Sequence, residues 1–236
     1  MEERSGTLSK VPAVTLGFWV IKIAATTLGE TAGDTVTMTM NLGYLTGTAI
    51  FLSLLVLLVA LQIAAKKFHP LIYWATIVAS TTAGTTAADF ADRSLGIGYT
   101  GGSAVLLLCV LGSLGLWYWS EGSVSVTTVS TPKVEAFYWA TITFSQTLGT
   151  ALGDWIADTS GVGYAGGALV FAAGLAVVTA LYYWTSVSPV ALFWTAFILT
   201  RPLASAVIAA LMVICILVFP QRAGEHPGTA AGGGSV

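Results

Sequence analysis

A repeated unit constrains the fold of this chain more than any other feature of the sequence. Each of three copies has a Trp, a Gly ten residues later, an Asp at fifteen, a Gly-Tyr pair at twenty-four and twenty-five, and a Gly at twenty-eight. The copies begin at Trp19, Trp74 and Trp139. A fourth copy begins at Trp194 but has Ala at the Gly and Asp positions. Such a repeat indicates that one structural unit recurs along the chain.

The composition places these units in a membrane. A soluble domain carries about a quarter charged residues, whereas only 8% of the 236 residues are charged here and 56% are hydrophobic. Apolar runs of about twenty residues recur, and each can cross a hydrocarbon core of about 30 Å. We therefore predict an all-α fold, a polytopic transmembrane bundle of seven to eight helices built from four tandem two-helix repeats. Every unit crosses the membrane twice, so successive units begin on the same side of the membrane and the repeats are parallel.

Polar segments divide the chain into these repeats. Residues 1–10 form a polar lead, and residues 11–219 form the transmembrane repeat domain. The tail at 220–236 is rich in Gly, Ala and Pro and is predicted to be disordered. The predicted repeats cover about 11–67, 68–121, 132–186 and 187–219.

The fourth unit is shorter than the others. From Ser188 to Phe219 there are only about thirty residues, too few for two full crossings of about twenty each. Pro202 lies in the middle and would break or kink a single helix. Seven helices with a long kinked last helix, and eight helices with a shortened final pair, are therefore both open.

Basic residues in the short loops predict the orientation. The loops that join the two helices of each unit lie on the side of the membrane opposite to where the units begin. Among these loops, only one carries a basic residue, Arg93. Lys and Arg are enriched in cytoplasmic loops, so the amino terminus is predicted to be cytoplasmic. The bases at the end where the units begin are Arg4, Lys10, Lys66, Lys67, Lys133 and Arg222.

Aromatic residues of the repeat are expected at the two membrane surfaces. Amphipathic rings prefer the interfacial layer. The repeat Trp residues would anchor the cytoplasmic surface. The Tyr residues of the Gly-Tyr pairs would anchor the other surface, and these are Tyr44, Tyr99 and Tyr164.

Two cationic residues lie within the predicted helices and are candidates for function, because a charge in the membrane interior is costly. Lys22 lies about 15 Å beyond Pro12 at a rise of 1.5 Å per residue. Arg201 lies at a similar depth in the fourth unit. We predict that both are counter-charges, paired with Glu30 or with an Asp of another unit, that change partners during gating.

The repeated Asp residues, Asp34, Asp89 and Asp154, are the principal candidates for a site. If the units pack around one axis, these carboxylates meet, and carboxylates held close together attract cations. Glu30 and neighbouring hydroxyls would assist, and such hard oxygen ligands suit Na⁺, H⁺, Mg²⁺, Ca²⁺ or Mn²⁺ better than copper or zinc. A metal site formed by the three Asp residues follows as a hypothesis. The hydroxyls singled out are those of Thr27, Thr82 and Thr147.

A second interpretation of the same residues needs no ion. The acids would only mark the outer membrane surface, and the small residues around them, such as Gly29 and Gly33, would serve close helix packing. No Walker loop, Ser-His-Asp set, HExxH motif or nucleotide fingerprint is present in the sequence. We therefore predict that the protein is not an enzyme, has no cofactor and does not bind nucleic acid.

Four motifs of the sequence resemble those of a known family. They are FWxxxxxxTTLGE, YWxxIxxxTTxGTTxADFxDRSLGIGYxGG, YWxTIxFSxTLGTALGDWxAD and LFWxAFILTRPL. Together they resemble a family of bacterial membrane proteins built from four tandem two-helix repeats of unknown function. The resemblance covers about residues 11–219. It implies the fold and a multi-pass location in a bacterial inner membrane, but no activity. In that family the fourth unit is longer than in this chain.

These observations favour a transporter or channel for a small cation, either a metal ion, Na⁺ or H⁺, with the repeated Asp residues at the interface between units. The alternative is a non-catalytic membrane scaffold or assembly protein. The expected partners are the lipid bilayer and the cation or proton. Homo-oligomerisation is left open by the sequence.

Overall fold

The computed structural model describes residues 9–159, 161 and 163–203. This part of the chain is helical and has no strand, so the predicted all-α repeat fold is confirmed. The predicted disordered tail and the region of an eighth helix lie outside the described residues. The seven α-helices described are α1 (Leu16–Asp34), α2 (Tyr44–Ala64), α3 (Pro70–Asp89), α4 (Gly98–Glu121), α5 (Pro132–Asp154), α6 (Gly163–Trp184) and α7 (Pro189–Leu199).

Local sequence signals account for where these helices begin. Three of them begin with a proline, whose fixed φ and missing N–H suit the first helical position. Thr15 caps α1 by accepting a hydrogen bond from the amide of Phe18, and Thr131 caps α5 in the same way from Val134.

Each complete unit changes from an α-helix to a π-helical turn directly after its repeated Asp. The three π-helical turns are Thr35–Thr39, Phe90–Ser94 and Trp155–Thr159. Such turns are rare and occur frequently at functional sites. The backbone change therefore marks the repeated Asp as a special position in all three units.

The Gly of each Gly-Tyr pair begins the return helix with a positive φ. The φ angles are +76° at Gly43, +75° at Gly98 and +64° at Gly163. A residue with a Cβ is strained in this region, whereas Gly is not. The repeat therefore needs Gly at this position for a backbone reason.

The two helices of each unit have different surroundings. The second helices, α2, α4 and α6, are the three in the described part that are long and apolar enough to cross a membrane, with mean hydropathies of 2.4, 1.7 and 1.9. They expose large apolar side chains such as Leu57, Leu108 and Leu169. The first helices instead bury Thr, Ser and Gly. The chain is thus a membrane protein with an apolar outer layer and a more polar inner layer.

The second helix of each unit packs against the first helix of the next. Helix α2 packs on α3, α4 on α5, and α6 on α7. The first helices also pack in order, α1 on α3, α3 on α5, and α5 on α7. The inner layer therefore consists of α1, α3, α5 and α7.

An aromatic belt closes the inner helices into a ring. We define it as each repeat Trp together with the aromatic residue before it. In every unit the preceding residue contacts the Trp of the next unit, and the last unit returns to the first. The ring-centroid distances are 5.6 Å for Phe18–Trp74, 5.5 Å for Tyr73–Trp139, 6.2 Å for Tyr138–Trp194 and 5.8 Å for Phe193–Trp19. The four inner helices therefore enclose one axis.

The aromatic belt corrects the expectation of a surface anchor for two of the four repeat Trp residues, whereas Trp19 and Trp74 are half-buried. Trp139 and Trp194 are only 3% and 4% exposed, and their rings fill the space between inner helices. Between them the hydroxyls of Tyr73 and Tyr138 form a buried hydrogen bond of 2.6 Å. Aromatic packing between helices is more favourable here than a place at the headgroups because each ring has aromatic neighbours on both sides.

The repeated Gly ten residues after each Trp lies where neighbouring inner helices approach most closely. A Cβ at Gly29 would lie 2.7 Å from Cγ2 of Thr81, and one at Gly84 would lie 3.0 Å from the backbone nitrogen of Thr147. A Cβ at Gly149 would meet the stem of Arg201. Without a hydrophobic force between helices in lipid, such close approach drives their association.

We expect Gly84→Ala to lower the stability of the protein by about 1–3 kcal/mol, the usual cost of overpacking. The clash involves backbone of α5, which cannot rotate away as a side chain can. The measurement is thermal unfolding of the purified protein in detergent, followed by circular dichroism.

Gly112→Ala is the matched control, because a Cβ at Gly112 in α4 meets no other atom within 4 Å. It should leave the melting temperature unchanged or raise it slightly, since Ala is the better helix former. Equal melting temperatures for the two variants would contradict the close packing inferred at Gly84.

Candidate functional site

The interior of the helix ring is organised in layers. Residues at the same distance from the repeat Trp lie at similar depth, because the inner helices are parallel and the aromatic belt aligns them. Positions three, seven, eleven and fifteen after each Trp are four residues apart, so each lies near the one before it on the helix surface, displaced by about 40° per step. We name the layers by these distances.

Layer three is apolar except for one lysine. Its four residues, Lys22, Ile77, Ile142 and Phe197, are all fully buried. The Lys22 ammonium donates hydrogen bonds to the carbonyl of Phe197 at 2.9 Å and to the hydroxyl of Thr200. It also lies 4.2 Å from the centre of the Phe197 ring.

The predicted role of Lys22 as the partner of an acid needs correction. The four ion pairs formed among the described residues do not include Lys22. Its partners are a carbonyl, a hydroxyl and an aromatic face, because layer three holds no carboxylate and Glu30 is bound by another cation.

Layer seven is polar in all four units. Its residues are at most 1% exposed, and each has at least one polar atom with no hydrogen-bond partner in the described part of the chain. Buried polar groups are normally hydrogen-bonded, so this layer is unusual. The unpartnered atoms are Oγ1 of Thr26, Oγ1 of Thr81, Nε2 and Oε1 of Gln146, and Nε of Arg201.

The guanidinium of Arg201 extends across the axis of the ring. Its Nη1 donates to Oε2 of Glu30 in α1 at 2.8 Å, and its Nη2 donates to Oγ1 of Thr85 in α3 at 2.5 Å. Helix α3 lies opposite α7 in the ring, so the side chain spans the interior. The prediction of Arg201 as a counter-charge agrees with its contact with Glu30.

The sequence explains why Arg201 can reach the axis. Helix α7 ends at Leu199, and a turn follows at Thr200–Pro202. Pro202 has no backbone N–H and restricts the residue before it, which ends the α-helix. At Gly149 of α5 the missing side chain leaves room for the stem of Arg201.

Layer fifteen contains the three repeated Asp residues. Asp89 is 4% exposed, whereas Asp34 and Asp154 are half-buried. Asp89 interacts electrostatically with both Asp34 and Asp154. The repeat therefore brings one carboxylate from each of three units to the same end of the axis.

Arg93 lies beside this acidic layer and pairs with one of its carboxylates. Its Nε is 3.0 Å from Oδ1 of Asp89, and its charge also acts on Asp34 and Asp154. Arg93 comes from the π-helical turn that follows α3. A single basic residue in one unit thus acts on the acids of all three units.

The Tyr residues of the Gly-Tyr pairs surround the same Arg93. The charge of Arg93 acts on Tyr164, and both Tyr44 and Tyr99 interact with the same charge. The hydroxyl of Tyr99 donates to Oδ2 of Asp158 at 2.8 Å. These residues therefore line the polar end of the axis rather than serving only as lipid anchors.

A further acid, Asp92, is held in the π-helical turn beside Arg93. Burial raises the pKa of the Asp92 carboxyl, and the adjacent Arg93 opposes this shift. The carboxylate sits in the space left by Gly102, the last Gly of the repeat, which a Cβ would fill. The corresponding Gly47 leaves room for Thr37, so this Gly accommodates a side chain of the π-helical turn in both units.

The structure does not support a metal ion held directly by Asp34, Asp89 and Asp154. Among the residues described, no group of three or more His, Cys, Asp or Glu side chains could hold a metal ion. The carboxylates interact through space, but each comes from a separate helix whose spacing is set by the packing of intervening side chains. The tentative three-carboxylate metal site is therefore corrected to an acidic layer.

The predicted hydroxyl ligands lie seven residues before the repeated Asp residues, two helical turns away on the same side of the helix. The hydroxyl of Thr82 donates to the carbonyl of Val78 and that of Thr147 to the carbonyl of Thr143, each at 2.9 Å. Thr27 is half-buried, and its hydroxyl has no partner in the described region. Thr82 and Thr147 also lie against Gly33 and Gly84 of the preceding inner helices, so these two residues contribute to helix packing.

The sequence analysis missed the side chains that occupy the axis. Thr26, Thr81 and Gln146 were not singled out, and Arg93 was used only to predict orientation. The repeat itself contained a signal, because position seven is polar in all four copies although it lies on the buried side of the helix. Aligning the four copies and comparing them position by position would have found this layer.

The two ends of the axis differ in access. A small pocket on the acidic side is lined by residues of α1, α5, α6 and α7, including Glu30, Asp154, Tyr164 and Arg201. At the other end, the aromatic belt fills the ring. The described residues thus form an axis that is closed at the belt and polar at the acidic end.

Comparisons with known proteins identify the repeat but no activity. Three stretches of the chain, residues 17–68, 72–123 and 137–188, match a family of repeats. No curated protein and no solved structure matches the chain. Because the three matches together cover more than half of the sequence, the chain belongs to the family described as Repeat of Unknown Function (DUF347).

Proposed function

We propose that the protein is a transporter for a small cation in a bacterial inner membrane, with its amino terminus in the cytoplasm. The observation that carries this proposal is the arrangement of the interior. Three carboxylates in the same repeat position lie at one end of an axis enclosed by four helices, where Asp89 interacts electrostatically with the other two, and a buried polar layer follows beneath them.

The acidic layer supports selection of cations. Asp34, Asp89 and Asp154 together carry more negative charge than Arg93 balances. A cleft of one charge sign raises the local concentration of the opposite ion. Side chains that served only to hydrate a membrane surface would not need to converge between helices.

The closed belt supports a transporter rather than an open channel. The guanidinium of Arg201 crosses the axis, and the aromatic belt fills the ring beyond it. A cation entering from the acidic end therefore stops at Arg201 until that side chain moves. The ion pair of Arg201 and Glu30 would break during transport, since a cation competes with Arg201 for the same carboxylate.

The first prediction concerns the acidic layer. We expect Asp89→Asn and Asp154→Asn each to reduce cation uptake about tenfold, which corresponds to about 1.4 kcal/mol of lost attraction. The measurement is uptake of sodium ions and protons into proteoliposomes of phosphatidylethanolamine and phosphatidylglycerol.

Glu121→Gln is the control, because Glu121 is an exposed carboxylate at the end of α4 and pairs only with the exposed Lys133 and Ser120 among the described residues. Its uptake should equal that of the unmodified protein. If the unmodified protein carries neither ion, or the Asp variants transport normally, the transport proposal fails and a scaffold role is favoured.

The second prediction concerns the pair of Arg201 and Glu30. Arg201→Gln should destabilise the protein by about 3–5 kcal/mol, because it leaves a carboxylate without its cation in a largely buried site. The double variant Arg201→Gln with Glu30→Gln should recover most of this loss. Thermal unfolding of the four proteins of this cycle measures the coupling.

The same double variant tests gating. It should raise the cation concentration needed for half-maximal uptake at least about tenfold, equivalent to about 1.4 kcal/mol, because the carboxylate for which the cation and Arg201 compete is lost. A double variant that folds and takes up cations with an unchanged half-maximal concentration would show that this pair takes no part in transport.

A further inference from the structure

We propose that residues 9–15 form a strap across the belt end of the axis, and that the ion pair of Lys10 and Glu135 is the latch that holds this strap closed. The part of this inference that concerns cation release rests on the proposed function, because the strap has to open before an ion can leave at this end. The latch is distinct from the acidic layer. Glu135 precedes Trp139 of the belt by four residues, whereas Asp154 follows it by fifteen.

The strap runs from the beginning of α1 to the beginning of α5. It directly precedes α1, whereas Glu135 lies in the first turn of α5. In the ring α1 packs beside α3 and α7, so α5 lies opposite α1. The segment from Lys10 to Leu16 can extend about 20 Å, and opposite helices are about 11–14 Å apart when neighbours are about 8–10 Å apart. The strap is therefore long enough to cross the opening of the ring.

The latch consists of three oxygen atoms that converge on one ammonium. The Nζ of Lys10 lies 2.5 Å from Oε1 of Glu135, 3.4 Å from the carbonyl oxygen of Gln62 and 3.3 Å from that of Ile63. The two carbonyls belong to the last turn of α2, where carbonyls have no partner within the helix and carry partial negative charge. A single strap residue thus joins the end of α2 to the beginning of α5.

The latch is buried although it lies at the end of the helices. The side chains of Lys10 and Glu135 are only 7% and 1% exposed. In the described part of the chain, Lys10 is the only base that pairs with Glu135. Removing one partner of a buried ion pair leaves the other charge uncompensated. Without Lys10, water can hydrate the Glu135 carboxylate only if the strap moves aside.

The strap and the linker that precedes α5, residues 122–131, form one cover over the aromatic belt. The hydroxyl of Ser9 donates to the carbonyl of Val126, and the amide of Lys10 donates to the carbonyl of Val129, each at 2.7 Å. Val11 and Val129 belong to the same buried apolar cluster as the belt rings. The cover therefore closes the ring beneath the belt.

The strap is the movable part of this cover. The linker is fixed at its ends by α4 and α5, and Nε1 of Trp194 in the belt donates to the carbonyl of Val124 at 3.1 Å. In the strap, the described hydrogen bonds to elements other than α1 are made by Ser9 and Lys10 alone. Segments held by few contacts open most readily. The latch thus supplies most of the polar contacts that keep the strap in place.

The test is the accessibility of a thiol placed beneath the strap. The reporter is Val129→Cys, because Val129 is 1% exposed and its carbonyl accepts the strap amide. It is made in the full chain with both native cysteines, Cys109 and Cys215, replaced by alanine. We expect Lys10→Met to raise the rate of modification by a water-soluble maleimide at least about tenfold, equivalent to about 1.4 kcal/mol. The reason is that the unpaired Glu135 carboxylate favours the open strap.

Lys133→Met is the matched control. Lys133 also lies in the first turn of α5, and the substitution removes the same charge, but its ammonium pairs with the exposed Glu121. The reporter rate should be unchanged. The double variant Lys10→Met with Glu135→Gln should return the rate to within about threefold of the starting value, because no buried charge then lacks a partner.

Thermal unfolding followed by circular dichroism establishes that each variant is folded. Glu135→Gln replaces Lys10→Met if that chain does not fold, since it breaks the same pair from the other side. An unchanged reporter rate in the folded single variant overturns the latch. An equal rise in Lys133→Met, or a rate that stays high in the double variant, overturns it as well.

A second experiment tests the role in cation release. Ser9→Cys with Val126→Cys, in the same background without native cysteines, places two thiols where the strap meets the linker and leaves the latch intact. A disulfide or a short bis-methanethiosulfonate then fixes the strap. Cation uptake into proteoliposomes should fall at least about tenfold on cross-linking and recover on reduction.

The outcomes separate the strap from the proposed transport. Uptake that is unaffected by the cross-link overturns the role in release, while the transport proposal stands. If the unmodified protein carries no cation, the transport proposal fails together with the role in release. In that case the thiol rates still decide whether Lys10 and Glu135 hold the strap closed.

Discussion

The contact between the first and last inner helices is the interaction on which the rest of the structure depends. Phe193 packs on Trp19, and Arg201 pairs with Glu30. Without this closure, the polar sides of the inner helices would face lipid, where unsatisfied polar groups cost several kcal/mol each. With it, four helices enclose an axis along which hydroxyls, an amide and charged groups can be buried together. Closure is therefore the condition for both stability and the proposed site.

The closed ring also explains how the units divide their tasks. The second helix of each unit is apolar on all sides because lipid surrounds most of it, and it covers the first helix of the next unit. The first helices carry the Gly residues that allow close approach and the polar residues that face inward. The charged groups break the repeat symmetry, since Lys22, Arg93 and Arg201 each occur in only one unit. A symmetrical scaffold thus holds an asymmetrical set of charges, as a site for a single ion would require.

Much of the framework was predictable from the sequence, whereas the occupants of the axis were not. The units, their parallel arrangement and the equivalent positions of Asp34, Asp89 and Asp154 in them followed from the repeat. Thr82 and Thr147 share a side of the helix with the Asp seven residues later. The hydroxyl of each is nevertheless bonded to a carbonyl of its own helix, which the sequence did not reveal. The burial of Trp139 depended on aromatic partners from other units.

The sequence by itself determined that the protein is a helical membrane protein of tandem hairpins. Hydrophobic length, the repeated Gly residues and the prolines act locally or at a fixed period, and these can be read along one dimension. Only the tertiary structure decided which charges meet, since pairing depends on the order of helices around a ring and on side-chain reach. Arg201 is 171 residues from Glu30 in the chain, yet the turn at Pro202 and the space at Gly149 bring their charges together. Long-range geometry of this kind follows from packing, which no single segment encodes.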